Sequence, residues 1–353
     1  MRRLAALPPA EWETILPWSD RKRLTLQLFA RLESFSLDPA VRQAFEERRE
    51  KNRRRLARLR DEASRVLAIL QGAGLRAMFL KGFTMAPSFV PCLEVRQQYD
   101  LDLYLSERDA RRAHQLLQER GAYALDLDNE DRANHLPALV PRSGWEWRGD
   151  FFDLDIPISV ELHYRLWNPE FERIRLQYAE PDGSATGQLA CVVLHMMRHV
   201  FRGNVQPSHI YELAWFLEHH SEDADFWEQW RKTDPALQEL GAAAFAIAAR
   251  IFGARLPQVE IPRPVAAWVQ RFATTALDQQ HAGKCQALLQ LVFVRGWRDR
   301  WTVLHRRLLP LHLPGPGPRA MRQTRYVAAR AAYHVRSIFG FAAAAVLWLW
   351  DTR

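Results

Sequence analysis

"YDLDLYL", residues 99–105, is the stretch whose reading decides the fold. Side chains alternate faces along a strand, so Leu101, Leu103 and Leu105 share one face while Asp100 and Asp102 share the other. Three leucines on one side predict a strand packed on a core. Two acids two residues apart stand about 7 Å from each other along the strand, and each disfavours ionisation of its neighbour. A cation between them removes that conflict. Paired carboxylates suit Mg2+ or Mn2+, hard ions that keep waters and also bind phosphates. An edge strand with one wet face would show the same D-x-D alternation, so the neighbouring segments have to decide.

Upstream, "LRAMFLKG", 75–82, is a short apolar run that reads as a buried strand and ends in Lys81 and Gly82. Glycine lets backbone approach a phosphate closely, and lysine adds a mobile positive charge. Downstream, "SERDARRAHQLLQERGAY", 106–123, predicts a helix: Ser106 is placed as N-cap, Ala110, Ala113, Leu116 and Leu117 form an inner stripe, and Gly121 ends it. Then "DIPISVELHYRLW", 155–167, reads as another strand, with Glu161 and His163 on the face opposite Val160 and Leu162. A third carboxylate on a neighbouring strand completes an acidic site for one or two metal ions. His163 would orient that acid or touch substrate; a histidine bonded to nearby backbone fits the same position.

The 353 residues, 48% hydrophobic and 25% charged, describe a globular chain able to bury a large core. A net charge of +8 is compatible with a polyanionic partner, whether nucleotide, nucleic acid or acidic lipid. Cys92, Cys191 and Cys285 lie far apart with no C-x-x-C pair, which argues against a disulfide framework or a cysteine zinc site and for the cytoplasm. The N-terminal "MRRLAALPPAEWETILPW" lacks a long apolar h-region, so no signal peptide is expected. Patterns run helical, then mixed α and β, then helical. The expected parts are a helical region 1–75, a strand-bearing core 76–170, a helical domain 171–309, a Pro/Gly linker 310–318 and a final helix 319–353. Within the first, residues 48–70 predict one long helix whose arginines either grip phosphates or form a solvated face.

In this order, Leu80-Lys81-Gly82, Arg96, Asp100-Leu101-Asp102, the helix over 106–120, Val160-Glu161-Leu162-His163 and the pair His195 and His199 resemble the nucleotidyltransferase superfamily, which has the DNA polymerase beta-like fold. More narrowly, the chain resembles a bacterial family of uncharacterised nucleotidyltransferases, over about residues 76–220. The resemblance implies an α+β fold with a small mixed-sheet core flanked by helical regions. It implies transfer of a nucleoside monophosphate from a nucleoside triphosphate, ATP among them, to an acceptor hydroxyl. It implies that Asp100 and Asp102 hold Mg2+ or Mn2+, with Glu161 as third ligand or base, that Lys81 and Gly82 face the triphosphate, and that Arg96 contacts phosphate or braces the aspartate strand. The sequence departs from the superfamily's usual Gly-Ser or Gly-Gly turn, since Phe83 follows Gly82.

Two alternatives stand beside this reading: a non-catalytic nucleotide-binding or scaffold protein with the same fold, and an RNA-modifying, toxin–antitoxin-type transferase gripping RNA through the arginine-rich helix. His195 and His199 at i, i+4 share a helix face and could bind zinc, but the H-E-x-x-H glutamate is missing, and a structural or pocket-lining pair is the commoner use. Trp145, Trp147 and Trp167 could stack bases or simply pack. The segment 319–350 pairs arginines with the apolar run 338–350, whose 13 residues fall short of the roughly 20 needed for a span. Peripheral membrane contact, or docking on the helical domain, is expected there and a transmembrane helix is not.

Overall fold

The structure, a computed structural model, describes residues 1–121, 123–125, 134–177, 181–277, 284–309 and 323–352. The linker expected over 310–318 lies outside these. The chain forms two compact units, Met1–Leu166 with Glu180–Cys191, and Trp167–Ala179 with Val192–Arg353. The architecture is α+β: a five-stranded mixed sheet with helices before and after it.

In the first unit the strands are β1 (Met78–Phe79), β2 (Asp100–Tyr104), β3 (Tyr123–Leu125), β4 (Leu139–Pro141) and β5 (Ser159–His163), in the spatial order β1-β2-β5-β4-β3. β2 and β5 run parallel, and the other neighbours run antiparallel. The leucine face of β2 is core, as its alternation requires: Leu101, Leu103 and Leu105 are buried with Val160 and Leu162 of β5. Two helices cover that face. Glu107–Arg120 contributes Ala110, Ala113 and Leu117, and Ser106 caps it by accepting from the Asp109 N–H at 3.2 Å. Pro39–Gly72, 34 residues long and capped by Asp38, contributes Leu59, Ala63, Val66 and Leu70.

That long helix extends the one expected over 48–70. Of its arginines, Arg53, Arg54, Arg58 and Arg60 are exposed, whereas Arg55 turns inward. Its guanidinium donates to the Asp153 carbonyl and lies 5.0 Å from the Tyr99 ring centre. The Tyr99 hydroxyl in turn donates to the Phe151 carbonyl at 2.7 Å, and burial pushes its phenol up to about 12 despite Arg23 and Arg55 beside it. The start of β2 is thereby tied to the N-terminal helices.

Two strand expectations shorten. The run 75–82 is strand over Met78–Phe79, and the Leu80 N–H still bonds to the Asp102 carbonyl at 3.1 Å before the chain turns at Gly82, where φ is +67°. The run 155–167 pairs over Ser159–His163.

The second unit is helical. Pro207–His220, Ala224–Trp230, Pro235–Phe252, Arg263–Phe272, Cys285–Phe293 and Trp297–Leu308 follow the residues of Ala185–Arg202 from Val192 on. A fully buried acid, Glu172, is neutralised by Arg202 at 2.8 Å and Arg307 at 3.6 Å, while Gln290 donates to its backbone carbonyl. Burying that charge without such partners would be costly. Trp167 packs in this unit and donates to the Ile174 carbonyl, a core role rather than a stacking platform.

The expected final helix is continuous over Gln323–Asp351 and so extends beyond the 13-residue apolar run 338–350. Its Ala331–Asp351 stretch, 21 residues, is long and apolar enough to cross a membrane by length and composition. Phe339 is 71% exposed and Trp350 75%, so much of its apolar surface is uncovered. Near its end the helix is held to Arg263–Phe272 by an Arg271–Asp351 ion pair and by Trp348 donating to the Pro264 carbonyl.

Candidate active site

The polar face of β2 meets the polar face of β5. Their parallel register sets Asp102 opposite Glu161, Asp100 opposite Ser159 and Tyr104 opposite His163. One buried imidazole joins the two acids: His163 Nε2 lies 2.9 Å from Asp102 Oδ1 and 3.4 Å from Glu161 Oε2. On the other side of Asp102, the Lys81 ammonium reaches Oδ2 at 3.1 Å. Asp102, Glu161 and His163 each offer a ligand atom within 4.8 Å of the others. Asp100 shares their face but lies outside that closest group, so His163 stands nearer the centre than a substrate-touching role alone would place it.

The electrostatics separate the three acids. Burial pushes the Asp100 carboxyl up to about 6, and the charges of Asp102 and Glu161 add to the push. Burial would raise Asp102 too, but Lys81 and His163 outweigh it and hold that carboxylate well below its usual range. Glu161 is buried as well, yet its contact with His163 and the nearby His135 bring it down to about 2. His163 feels the converse: burial favours the neutral ring, and the two carboxylates overcome that and raise its pKa. Three carboxylates thus face Lys81 and His163, and Asp100 is left with repulsion that Lys81 and Arg23 offset only in part. A hard divalent ion accepting oxygen from Asp100, Asp102 and Glu161 would relieve it, so the donor set fits Mg2+ or Mn2+.

The expected site residues fall as follows. Asp100, Asp102, Glu161, His163 and Lys81 are brought together. Gly82 is buried one residue from Lys81, and its need for glycine is visible: a Cβ there would come within 2.2 Å of Gln98 Nε2. That amide donates to the Asp100 carbonyl at 2.7 Å, so the bare backbone at 82 makes room for a brace on the acidic strand. Arg96 follows a short turn, Leu93–Val95, and its carbonyl accepts from Asn52 Nδ2 of the long helix at 3.2 Å.

Two participants were not read from the sequence. His135, in a stretch without visible pattern, bridges to His163 and sets its Nε2 3.6 Å from Glu161 Oε2. Gln98 carries no motif signal in the sequence, and its part is set by the hydrogen bond to the Asp100 carbonyl. Trp145, by contrast, donates to Asp153 Oδ2 at 2.9 Å, and Trp147 is 52% exposed.

Comparison with known families gives one match. The family described as "Uncharacterised nucleotidyltransferase" covers residues 8–256, more than half of the 353-residue chain. No curated protein and no solved structure matches it. The chain belongs to that nucleotidyltransferase family and is a nucleotidyltransferase at that general level.

Proposed function

We propose that this nucleotidyltransferase is metal-dependent and moves a nucleoside monophosphate from a nucleoside triphosphate, ATP among them, to an acceptor hydroxyl, with pyrophosphate leaving. The observation that carries the reading is the register of β2 and β5, which sets Asp102 opposite Glu161, with Asp100 on the same face and its carboxyl pushed up to about 6. Asp100, Asp102 and Glu161 would hold Mg2+ or Mn2+. When bound, such an ion lowers the pKa of an attacking hydroxyl and neutralises charge on the leaving phosphate oxygens.

The chain's own groups do the rest. Lys81 balances Asp102 and presents positive charge at the acidic face, where a polyphosphate needs it. His163 fixes the orientation of both Asp102 and Glu161 through one ring nitrogen. Glu161 serves as ligand rather than as base, since His163 and His135 bring its pKa down to about 2 and leave its carboxylate a weak proton acceptor. Gln98 and Gly82 fix the backbone at Asp100. Catalysis of this kind rests on positioning and charge rather than on covalent chemistry. A cytoplasmic location, where nucleoside triphosphates are abundant, completes the proposal.

The test is incubation of the full chain with α-labelled nucleoside triphosphates and Mg2+ or Mn2+, with cell extract as the source of acceptor. Label transferred to an extract component, and lost on chelation, is the expected outcome. Nucleotide binding without any transfer under these conditions would replace this reading with the scaffold alternative.

A further inference from the structure

The helical unit gathers a second set of donors. His195 and His199 lie one turn apart on the helix Ala185–Arg202, with ring centres 4.5 Å apart. A four-residue turn, 203–206, then reverses the chain. Gly203 takes φ +73°, the Asn204 N–H bonds back to the His199 carbonyl at 3.1 Å, and Pro207 opens the next helix. The third residue of that helix is His209. Its ring centre lies 4.7 Å from that of His195 and 5.2 Å from that of His199. One nitrogen from each of the three rings falls within 4.8 Å of the others, and none of the three residues is exposed.

We propose that His195, His199 and His209 form a binding site for a borderline divalent cation, Zn2+ foremost. Three neutral imidazoles suit Zn2+ and leave its fourth position to water or an exogenous donor. In a tetrahedral shell with bonds of about 2.0–2.1 Å, ligand nitrogens sit roughly 3.3 Å apart, so small side-chain rotations close this cluster onto an ion. The outer partner of one ligand is already in place. Asn204 Oδ1 lies 2.9 Å from His199 Nδ1, which puts the proton of the neutral ring on Nδ1 and the lone pair on Nε2. Arg198 acts against the ion. It donates to His195 Nδ1 at 3.2 Å, and coordination through either nitrogen of that ring ends this bond. One hydrogen bond is exchanged for a metal–nitrogen bond. The site is independent of the nucleotidyl-transfer reading: its donors are nitrogens from two helices, whereas the acidic face offers mainly carboxylate oxygens to a hard ion.

The experiment uses the full chain stripped of metal, titrated with Zn2+ alone in millimolar Mg2+ and followed by calorimetry, with Co2+ absorption as a second readout. The expected result is one saturable equivalent of Zn2+ and a Co2+ spectrum of tetrahedral intensity. His199→Gln should weaken that equivalent at least about 100-fold, more than loss of an outer partner does. Asn204→Ala changes an exposed turn residue, keeps all three ligands and should weaken the equivalent about 10-fold, which covers the case in which His199→Gln does not fold. Asp102→Asn should leave the equivalent in place. Absence of saturable Zn2+ binding overturns the proposal. So does wild-type affinity in both His199→Gln and Asn204→Ala, or loss of the equivalent in Asp102→Asn, which would assign it to the acidic face.

Discussion

The acidic face of β2 and β5 and the histidine face of Ala185–Arg202 both converge donors on a point, by different means. On the strands, convergence comes from register: a parallel pair sets Asp102 beside Glu161, and alternation keeps Asp100 and His163 on the same side. On the helices it comes from one turn of helix plus a four-residue reversal. The contents differ too. The acids carry excess charge, so the fold supplies Lys81 and a protonatable His163 to balance them. Neutral imidazoles need no counter-charge, and the cation beside them, Arg198, competes with a metal rather than helping it. An acidic cluster therefore ought to be sensitive to single charge changes, and the histidine cluster ought not.

The largest expected effect tests that sensitivity. Asp102→Asn keeps the shape but removes the charge that Lys81 and His163 share. Nucleotidyl transfer should fall by at least about 1,000-fold, near 4 kcal/mol of transition-state stabilisation, with the far-ultraviolet circular dichroism unchanged. Turnover close to that of the parent with Mg2+ present would remove the acidic face from the chemistry.

Next comes Lys81→Met. Removing the ammonium leaves a buried Asp102 with His163 as its remaining charged neighbour in contact. Breaking a buried pair in this way costs about 3 kcal/mol. Urea unfolding in chelator should show that loss, and Mg2+ should restore part of it by taking over the charge. A variant as stable as the parent in chelator would mean that His163 alone balances the aspartate, and the contrast with the helical cluster would shrink accordingly.

Gly82→Ala tests backbone rather than charge. At φ +67° an alanine is strained, and its Cβ would meet the Gln98 amide at 2.2 Å. The expected cost is about 2 kcal/mol from strain and from the lost Gln98–Asp100 hydrogen bond. In a Gln98→Ala background the overlap and the hydrogen bond are already gone, so adding Gly82→Ala there should cost the backbone strain alone, about 1 kcal/mol in thermal melts. An equal cost of Gly82→Ala in the parent and in the Gln98→Ala background would show that Gln98 does not set the requirement for glycine.

How far the sequence reveals these two regions follows from the same difference. β2 is legible because Leu101, Leu103 and Leu105 face a core while Asp100 and Asp102 do not, and Val160-Glu161-Leu162-His163 repeats the pattern. The two strands beyond β5 are not: β3 and β4 have three residues each, too short for alternation to show. His135 lies beside them and becomes visible only through its bridge to His163. Gly82 is legible as a special residue but for another reason than the one found, since the side chain it accommodates, Gln98, lies 16 positions away. His195 and His199 announce themselves by spacing, whereas His209 joins them through the geometry of a turn that no periodicity encodes.

The smallest effect is expected away from both clusters and gives the baseline against which they are judged. Glu62 on the long helix accepts from the Tyr123 hydroxyl of β3 and from Arg65 at 2.7 Å. Burial raises its carboxyl, but these two donors outweigh it and leave the pKa below its ordinary 4.5. A depressed folded-state pKa adds stability above the ordinary carboxylate range, and that stability is lost as pH falls through the folded value. Arg65 is 42% exposed, which screens the pair. Glu62→Gln should therefore cost only about 1 kcal/mol at pH 7, and the gap to the parent should narrow as pH falls below 4.5. A gap that stays constant from pH 7 to pH 3 would show that the contribution is packing against Tyr123 rather than charge. Removing a half-exposed charge such as Glu62 would then cost little, which is the contrast that Asp102 and Lys81 are expected to define.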